Sequence, residues 1–422
     1  MLIPSFRPGG KTFMTGVLLL LFSWSVSAQN NTFSPYSRYG YGILSEPAFG
    51  GASGMGGIGY GLRTSGQINP MNPASYSAVD SLNFLFDFGL SATYTRFREN
   101  NLREARLNSN IEYAAIKIPL SKDWGLSLGL YEYTKLGYAF NSAGSLTDLD
   151  GNSLIYSNAY SATGGINNAY LGSSVLLFKH LSLGMNLNYK FGALVNSSVL
   201  SYPYNSEINS TSSSNVMTVG HFNIDAGLQY EQQFNNKHRM VLGMSFTPGG
   251  LMDVNYTSTT ITLDTLTQEH PGLSFGYPQN LGMGVSYTYD NRLILGMDFQ
   301  HQAWNQAPFF GVSDSLSLRT RLALGAEYLP SSIAQRYYQA IKYRLGLHYS
   351  DSYIKFAQGN LKEFGLSLGL GLPLRNQRTA LNLAMEFGKI LTPEPSMIQE
   401  HYWRIKLNLS FNETWFVKRR FN

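Results

Sequence analysis

The sequence predicts an all-β protein: a transmembrane antiparallel β-barrel of about 14 strands with an N-terminal plug in its lumen. Three observations carry this. From Leu82 onward apolar residues recur at every second position, the period at which a strand sends side chains to opposite faces. Charged residues make up only 14% of the chain, against roughly 25% for a soluble domain. Mean hydropathy is nevertheless -0.14, and after the N-terminus there is no run of about 18 apolar residues to form a membrane helix. Finally, short connections alternate with long ones, as periplasmic turns and outer loops do in bacterial barrels.

The elements follow in chain order. Residues 1–28 read as a cleaved signal peptide. Arg7 and Lys11 are its basic start, "TGVLLLLFSWSV" its apolar stretch, and "VSA" ending at Ala28 its small-residue cleavage site. The mature chain is expected to begin near Gln29, outside the inner membrane. With no cysteine, the chain has no disulfide, thiolate metal site, cysteine nucleophile or lipidated N-terminal Cys.

Residues 29–81 are dense in Gly and Tyr ("SPYSRYGYG", "GGASGMGGIGYG") and lack a sustained period of two. Such a segment is too short to build its own core, so it is assigned as a plug packed inside the barrel. It ends in "INPMNPASYS". Proline fixes φ and pushes its preceding residue toward extended geometry. Asn69-Pro70 and Asn72-Pro73 therefore lead the chain out of the plug toward the first wall strand.

Residues 82–422 are assigned to the barrel, with a short C-terminal extension beyond Asn412. Strands are placed at 84–97, 110–119, 123–134, 168–178, 180–194, 219–233, 238–247, 277–289, 291–304, 317–328, 340–350, 362–372, 378–390 and 400–412. "LSLGMNLNYKF" is the clearest: Leu181, Leu183, Met185, Leu187, Tyr189 and Phe191 alternate with Ser182, Gly184, Asn186, Asn188 and Lys190. Tight links ("LSKD", "FKH", "FNNK", "YDN", "LRNQ") and the longer "LPSSIAQRYYQA" follow even-numbered strands. Larger loops are expected at 98–109, 135–167, 195–218, 248–276, 305–316, 351–361 and 391–399. Tyr131, Tyr189, Tyr230, Tyr289, Tyr349 and Trp403 suit an interfacial aromatic girdle.

No motif supports catalysis. Gly54-x-Gly56-x-x-Gly59 lacks the βαβ context of a dinucleotide site. "GLSLG" at 125–129 and 365–369 puts Ser127 and Ser367 in mid-strand, not on a nucleophile elbow. The His residues, including His180, His301 and His348, form no metal-ligand spacing. No cofactor, metal or enzyme activity is expected. Net charge is +5 without a basic stripe, so nucleic acid is not an expected partner. The inward face carries Asp87, Lys190, Asp225, Glu231, Asp298, Arg321, Glu327, Lys342, Arg344, Glu386, Arg404 and Lys406. Arg344 and Arg404 are the candidates for holding a carboxylate, from plug or ligand, because guanidinium offers a bidentate fork. Apolar residues of the plug (Phe33, Tyr36, Tyr39, Tyr41) and of the 135–167 loop (Leu136, Tyr138, Phe140) suit a greasy ligand.

With its signal, its plug, Asn72-Pro73-Ala74 ahead of the first strand and its strand number, the chain resembles the FadL/TodX family of outer-membrane transporters for long-chain fatty acids and other hydrophobic compounds, as a divergent branch. The family carries an NPA motif at that place. The resemblance implies location in the Gram-negative outer membrane, passive plug-gated uptake of hydrophobic small molecules, contact with outer-membrane lipids, and sideways release through a kinked wall strand, for which Gly125 and Gly129 are the candidates. The alternative is a non-transporting barrel that serves as a structural subunit of a larger outer-membrane complex with envelope protein partners. The extension carrying Lys418, Arg419 and Arg420 motivates that alternative.

Overall fold

The computed structural model describes residues 32–80, 83–147, 153–205, 208–331, 333–357, 359–374 and 379–414. The predicted signal peptide and the residues after Thr414 lie outside the described residues.

Fourteen antiparallel strands form the wall: β1 (Asn83–Glu99), β2 (Leu102–Pro119), β3 (Trp124–Thr147), β4 (Ser153–Leu177), β5 (Leu181–Ser201), β6 (Thr211–Gln233), β7 (His238–Thr247), β8 (Asn280–Tyr289), β9 (Leu293–Gln302), β10 (Arg319–Tyr328), β11 (Lys342–Asp351), β12 (Lys362–Pro373), β13 (Ala380–Leu391) and β14 (Gln399–Thr414). Each pairs with the next, and β14 closes on β1 from Gln399↔Arg98 to Thr414↔Asn83. Closure leaves no sheet edge for the whole length of a strand, the condition for a sheet to stand in lipid.

The period of two decides which face is which. Along β5, Leu183, Met185 and Leu187 are exposed, whereas Ser182, Asn186, Asn188 and Lys190 are buried. Leu322 and Leu324, Leu345 and Leu347, and Ile405 and Leu407 continue the exposed apolar belt. A closed barrel with a greasy outside and a polar inside is an outer-membrane architecture.

The structure extends five strands past their expected ends. Residues 102–109, 135–147, 153–167, 195–201 and 211–218, expected as loops, are ladder. The β1–β2 connection shrinks to Asn100–Asn101, with Asn100 at φ 50°. Residues 102–109 are charged and the other stretches are rich in Ser, Asn, Thr and Gly; none keeps the alternation that a lipid-facing strand requires, yet their backbone groups pair all the same. The 248–276 region holds strands Gly250–Met252, Val254–Ile261, Thr265–Glu269 and Phe275–Tyr277, and Val254–Ile261 pairs with β6. At the other end the links are tight. Asp290 and Asn291 have φ 54° and 52°, the double positive φ of a type I′ hairpin turn. A one-turn helix, Tyr337–Ala340, interrupts the long β10–β11 link.

One girdle residue is misplaced by the sequence. Tyr189, Tyr230, Tyr289, Tyr349 and Trp403 are exposed. Tyr131 points inward, 5.9 Å from the Phe49 ring and 6.1 Å from Tyr170. It shares the odd-numbered face of β3 with Gly125, Ser127 and Gly129.

Candidate functional site

Residues 32–80 sit inside the ring, and the wall is built to receive them. Inward glycines let backbone meet backbone. A Cβ on Gly243 would stand 1.8 Å from the Tyr60 carbonyl oxygen, and one on Gly346 would stand 1.9 Å from the Gly56 nitrogen. Gly56 itself has φ +68° and donates its amide to Ser367 Oγ (2.8 Å).

Charged wall residues grip the segment's backbone. Asp298 Oδ2 accepts from the Gly59 and Tyr60 amides (2.5 and 2.8 Å). Arg321 donates to the Gly56 carbonyl (2.6 Å). Lys117 donates to the carbonyls of Ser65, Gln67 and Ala78 (2.9, 2.8 and 3.1 Å). Lys117 continues the inward face of Tyr113 and Ala115. The segment replies with Glu46, whose Oε1 lies 2.6 Å from Arg319 Nη2 and 4.0 Å from Arg321 Nε, and with Arg63, 2.9 Å from Glu231. Burial raises the Glu46 pKa, but Arg319 and Arg321 outweigh it and hold the carboxyl below its ordinary range.

Asn72, Pro73 and Ala74 are buried. The Asn72 side chain donates to the Tyr60 and Leu228 carbonyls (2.9 and 3.1 Å) and accepts from the Ala74 amide (3.1 Å). It caps a short 3₁₀ helix, Pro73–Ser77, with Pro at its first position. The Ala74 carbonyl accepts from Arg63 and Ser174 (3.1 and 3.2 Å). The motif thus ties three stretches together: residues 60–63, itself, and the inner face of β4 and β6.

The two candidate arginines have different surroundings. Arg344 is closed in by Glu327 (2.7 Å) and Asn382 (2.8 Å), with Gly51 against its guanidinium. Arg404 faces Glu386 (3.4 Å), stacks on Tyr402 (4.7 Å), and borders a cavity of about 120 Å³ with Tyr36, Ile43 and Leu44. His348, Glu363 and Glu386 bring ligand-type atoms within 4.8 Å of one another. Their carboxylates are already engaged: Tyr402 Oη lies 2.5 Å from Glu363 and 2.8 Å from Glu386, beside Arg404. We read this trio as part of the lumenal ion-pair network.

The wall departs from regular pairing beside this network. The β2–β3 ladder runs from Pro119↔Gly125 to Tyr113↔Tyr131 and ends there. Beyond it, β2 stays paired with β1 back to Leu102, and β3 with β4 out to Thr147. Glu112 is an extra residue opposite Gly89/Leu90, and Tyr133 is an extra residue between Glu132 and Thr134. Such bulges bend a strand and swap the facing of everything after them. Even-numbered Leu128 and Leu130 point out, whereas even-numbered Leu136 and Tyr138 are buried. Register through Gly125 and Gly129 is unbroken; a Cβ on Gly125 would lie 1.9 Å from the Tyr76 carbonyl oxygen. Lys135 links Glu132 (2.8 Å) and Glu112 (3.7 Å) across the separation, and Lys406 reaches Glu112 at 2.8 Å. Ile43–Leu44 of the inner segment fills the start of the separation, pairing with Lys135 and Thr134.

Above it opens a cleft of about 740 Å³ at the end of the barrel that bears the long connections. Phe33, Tyr36, Phe97, Tyr138, Phe140 and Phe356 supply aromatic walls, while Arg38, Arg103 and Arg106 are balanced by Glu99, Glu104 and Glu394, with Arg106 paired to Glu104. The Arg38 guanidinium lies 5.0 Å from the Tyr160 ring, and Arg106 lies 5.7 Å from Phe33. Tyr36 borders both this cleft and the 120 Å³ cavity beneath it. Deeper in, Trp304 and Tyr41 are fully buried in a hydrophobic cluster with Leu136, Phe275 and Tyr353.

Solved structures share this fold. The CymD monoaromatic hydrocarbon channel matches at 14% identity and TM-score 0.56, over 88% of this chain and 99% of its own. The Ralstonia pickettii toluene transporter TbuX matches at 13% and 0.57, over 86% and 98%. A Pseudomonas aeruginosa FadL homologue matches at 10% and 0.55, over 87% and 99%. No curated protein matches by sequence. The BamG family model matches residues 11–422, nearly the whole chain, and the chain therefore belongs to the BamG family.

Proposed function

We propose that the protein is an outer-membrane channel for hydrophobic solutes such as long-chain fatty acids, with residues 29–81 as its gating plug. The observation that carries this reading is the aromatic cleft. Its volume of about 740 Å³ falls within the roughly 300–1,000 Å³ of small-molecule sites. Of its charged residues, Arg38, held over the Phe140 and Tyr160 rings, is the one that suits a carboxylate at the end of an apolar tail. Tyr36 separates the cleft from the cavity bordered by Arg404, so passage inward requires the segment around Tyr36 to shift. The barrel folds of the hydrocarbon channel and toluene transporter above support the reading by analogy.

Equilibrium binding of a fluorescent long-chain fatty acid to the purified protein tests it. Phe140→Asp puts a charge into the cleft wall and is expected to weaken binding about tenfold or more, some 1.4 kcal/mol. Failure of the unaltered protein to bind, or full affinity in the variant, counts against the cleft as the ligand site.

The interior favours a second reading. Three cavities between segment and wall are small, about 120, 80 and 100 Å³, against one of about 330 Å³ beside Arg38, Tyr39 and Gly40, and much of the contact is backbone on backbone. A barrel filled this firmly also suits a non-transporting structural subunit of a larger outer-membrane complex.

A further inference from the structure

We propose that the free side of β3 beyond the β2–β3 separation is a docking site for an extended polypeptide strand of a partner protein, bound by β-strand addition along residues 138–147. This goes beyond the channel reading and does not depend on it.

An edge strand presents N–H and C=O groups outward at every second residue, about 6.8 Å apart, and such a row is a template for another strand. From Glu132 to Thr147, β3 is paired with β4 on one side only; β2 has left it at Tyr113↔Tyr131. Among the described residues, its other side is occupied only at the bottom. Ile43–Leu44 pairs with Lys135 and Thr134, the Ser45 amide donates to the Tyr133 carbonyl (2.9 Å), and the Ser37 hydroxyl donates to the Gly137 carbonyl (3.0 Å). The chain's own segment thus shows that this edge accepts a strand. It ends its pairing just where the 740 Å³ cleft begins, and no described backbone group continues it along 138–147.

The chemistry of the row selects the occupant. An alkyl chain or aromatic hydrocarbon carries no hydrogen-bond groups at that spacing, whereas a polypeptide carries a donor and an acceptor on each residue. Side chains on the inner face of the added strand would meet Phe33, Tyr138 and Phe140, so alternate partner residues are apolar. On the outer face they would pass the exposed Ala139 and Ala143, which offer no obstruction.

Amide hydrogen exchange over 138–147 decides the matter. The full-length protein is prepared twice: from its native membranes in mild detergent, and from a heterologous host. The expected result is exchange at least about tenfold slower in the native preparation, together with protection of a peptide from a different, co-purifying polypeptide. Stripping that polypeptide restores the fast rate, and Ala143→Pro, which removes an amide from the edge, prevents its retention. Equal rates in both preparations overturn the proposal. So does protection without a second polypeptide, which assigns the edge to a solute or lipid, and so does protection that rises with concentration of the pure chain, which assigns it to a second copy. Fatty-acid binding by the cleft is measured separately, so failure here leaves the channel reading standing.

Discussion

Replacing Gly346 with valine is expected to force residues 50–60 off the wall. A β-carbon at 346 would stand 1.9 Å from the Gly56 nitrogen and 2.2 Å from the Met55 carbonyl carbon. Both are backbone atoms, so no rotamer change relieves the overlap. Overpacking ordinarily costs about 1–3 kcal/mol, and a backbone clash sits at or above the top of that range. The same move breaks the bond from the Gly56 amide to Ser367 and loosens the bond from Arg321 to the Gly56 carbonyl. The absence of native cysteine gives a clean readout. Ser53, buried beside Gly50 and Asn408, is replaced by cysteine and its reaction with a water-soluble maleimide is timed. Labelling is expected to be slow in the parent and at least about tenfold faster with Gly346→Val. The outward substitution Leu347→Val is the control and leaves the rate unchanged. Equal labelling in all three would mean that the inner segment does not depend on this contact.

Glu46→Gln has the second large expected effect. It leaves Arg319 and Arg321, both buried, without their carboxylate. Stranding a buried charge costs about 3–5 kcal/mol, and the partial exposure of Glu46 places this case toward the lower figure. The pH dependence has a definite sign. The folded-state pKa of Glu46 is depressed, so the carboxylate contributes stability at pH above its unfolded value of about 4.3. That contribution is lost as pH falls through the folded value. Urea unfolding followed by tryptophan fluorescence should show the variant well below the parent at pH 7, with the gap closing under acid. A gap that is absent at neutral pH, or that persists unchanged below pH 3, contradicts the role given to this ion pair.

The wall strands were legible because lipid imposes a strict alternation. Along 181–191 of β5, 343–349 of β11 and 403–411 of β14 each outward residue is apolar and each inward one polar or small, and those strands fall within two residues of their expected starts. Where the wall leaves lipid, the constraint vanishes and so does the signal. The sequence "SAGSLTDLDGNSLIYSNAYSATGG" reads as loop, yet most of it is the ladder of β3 and β4. The bulges were hidden for a different reason. Glu112 and Tyr133 are not turn residues; what marks them is a flip of inward parity, from Asn110 to Tyr113 in β2 and from Tyr131 to Leu136 in β3, visible only across both halves of a long strand. The proline-rich stretch could be read only as a stiff lead-in to the first strand; its buried bonds from Asn72 to Tyr60 and Leu228 required the fold. Lys117 was missed because its strand alternates weakly.

Transfer across a membrane separates a channel from a closed barrel. The protein is reconstituted into liposomes loaded with a pH-sensitive dye, and a long-chain fatty acid is added outside together with albumin to suppress direct flip-flop. Saturable delivery above that of protein-free liposomes is expected, lost in Phe140→Asp, with no accompanying ion leak. Delivery no faster than in protein-free liposomes would contradict the channel reading and leave the barrel as a structural subunit.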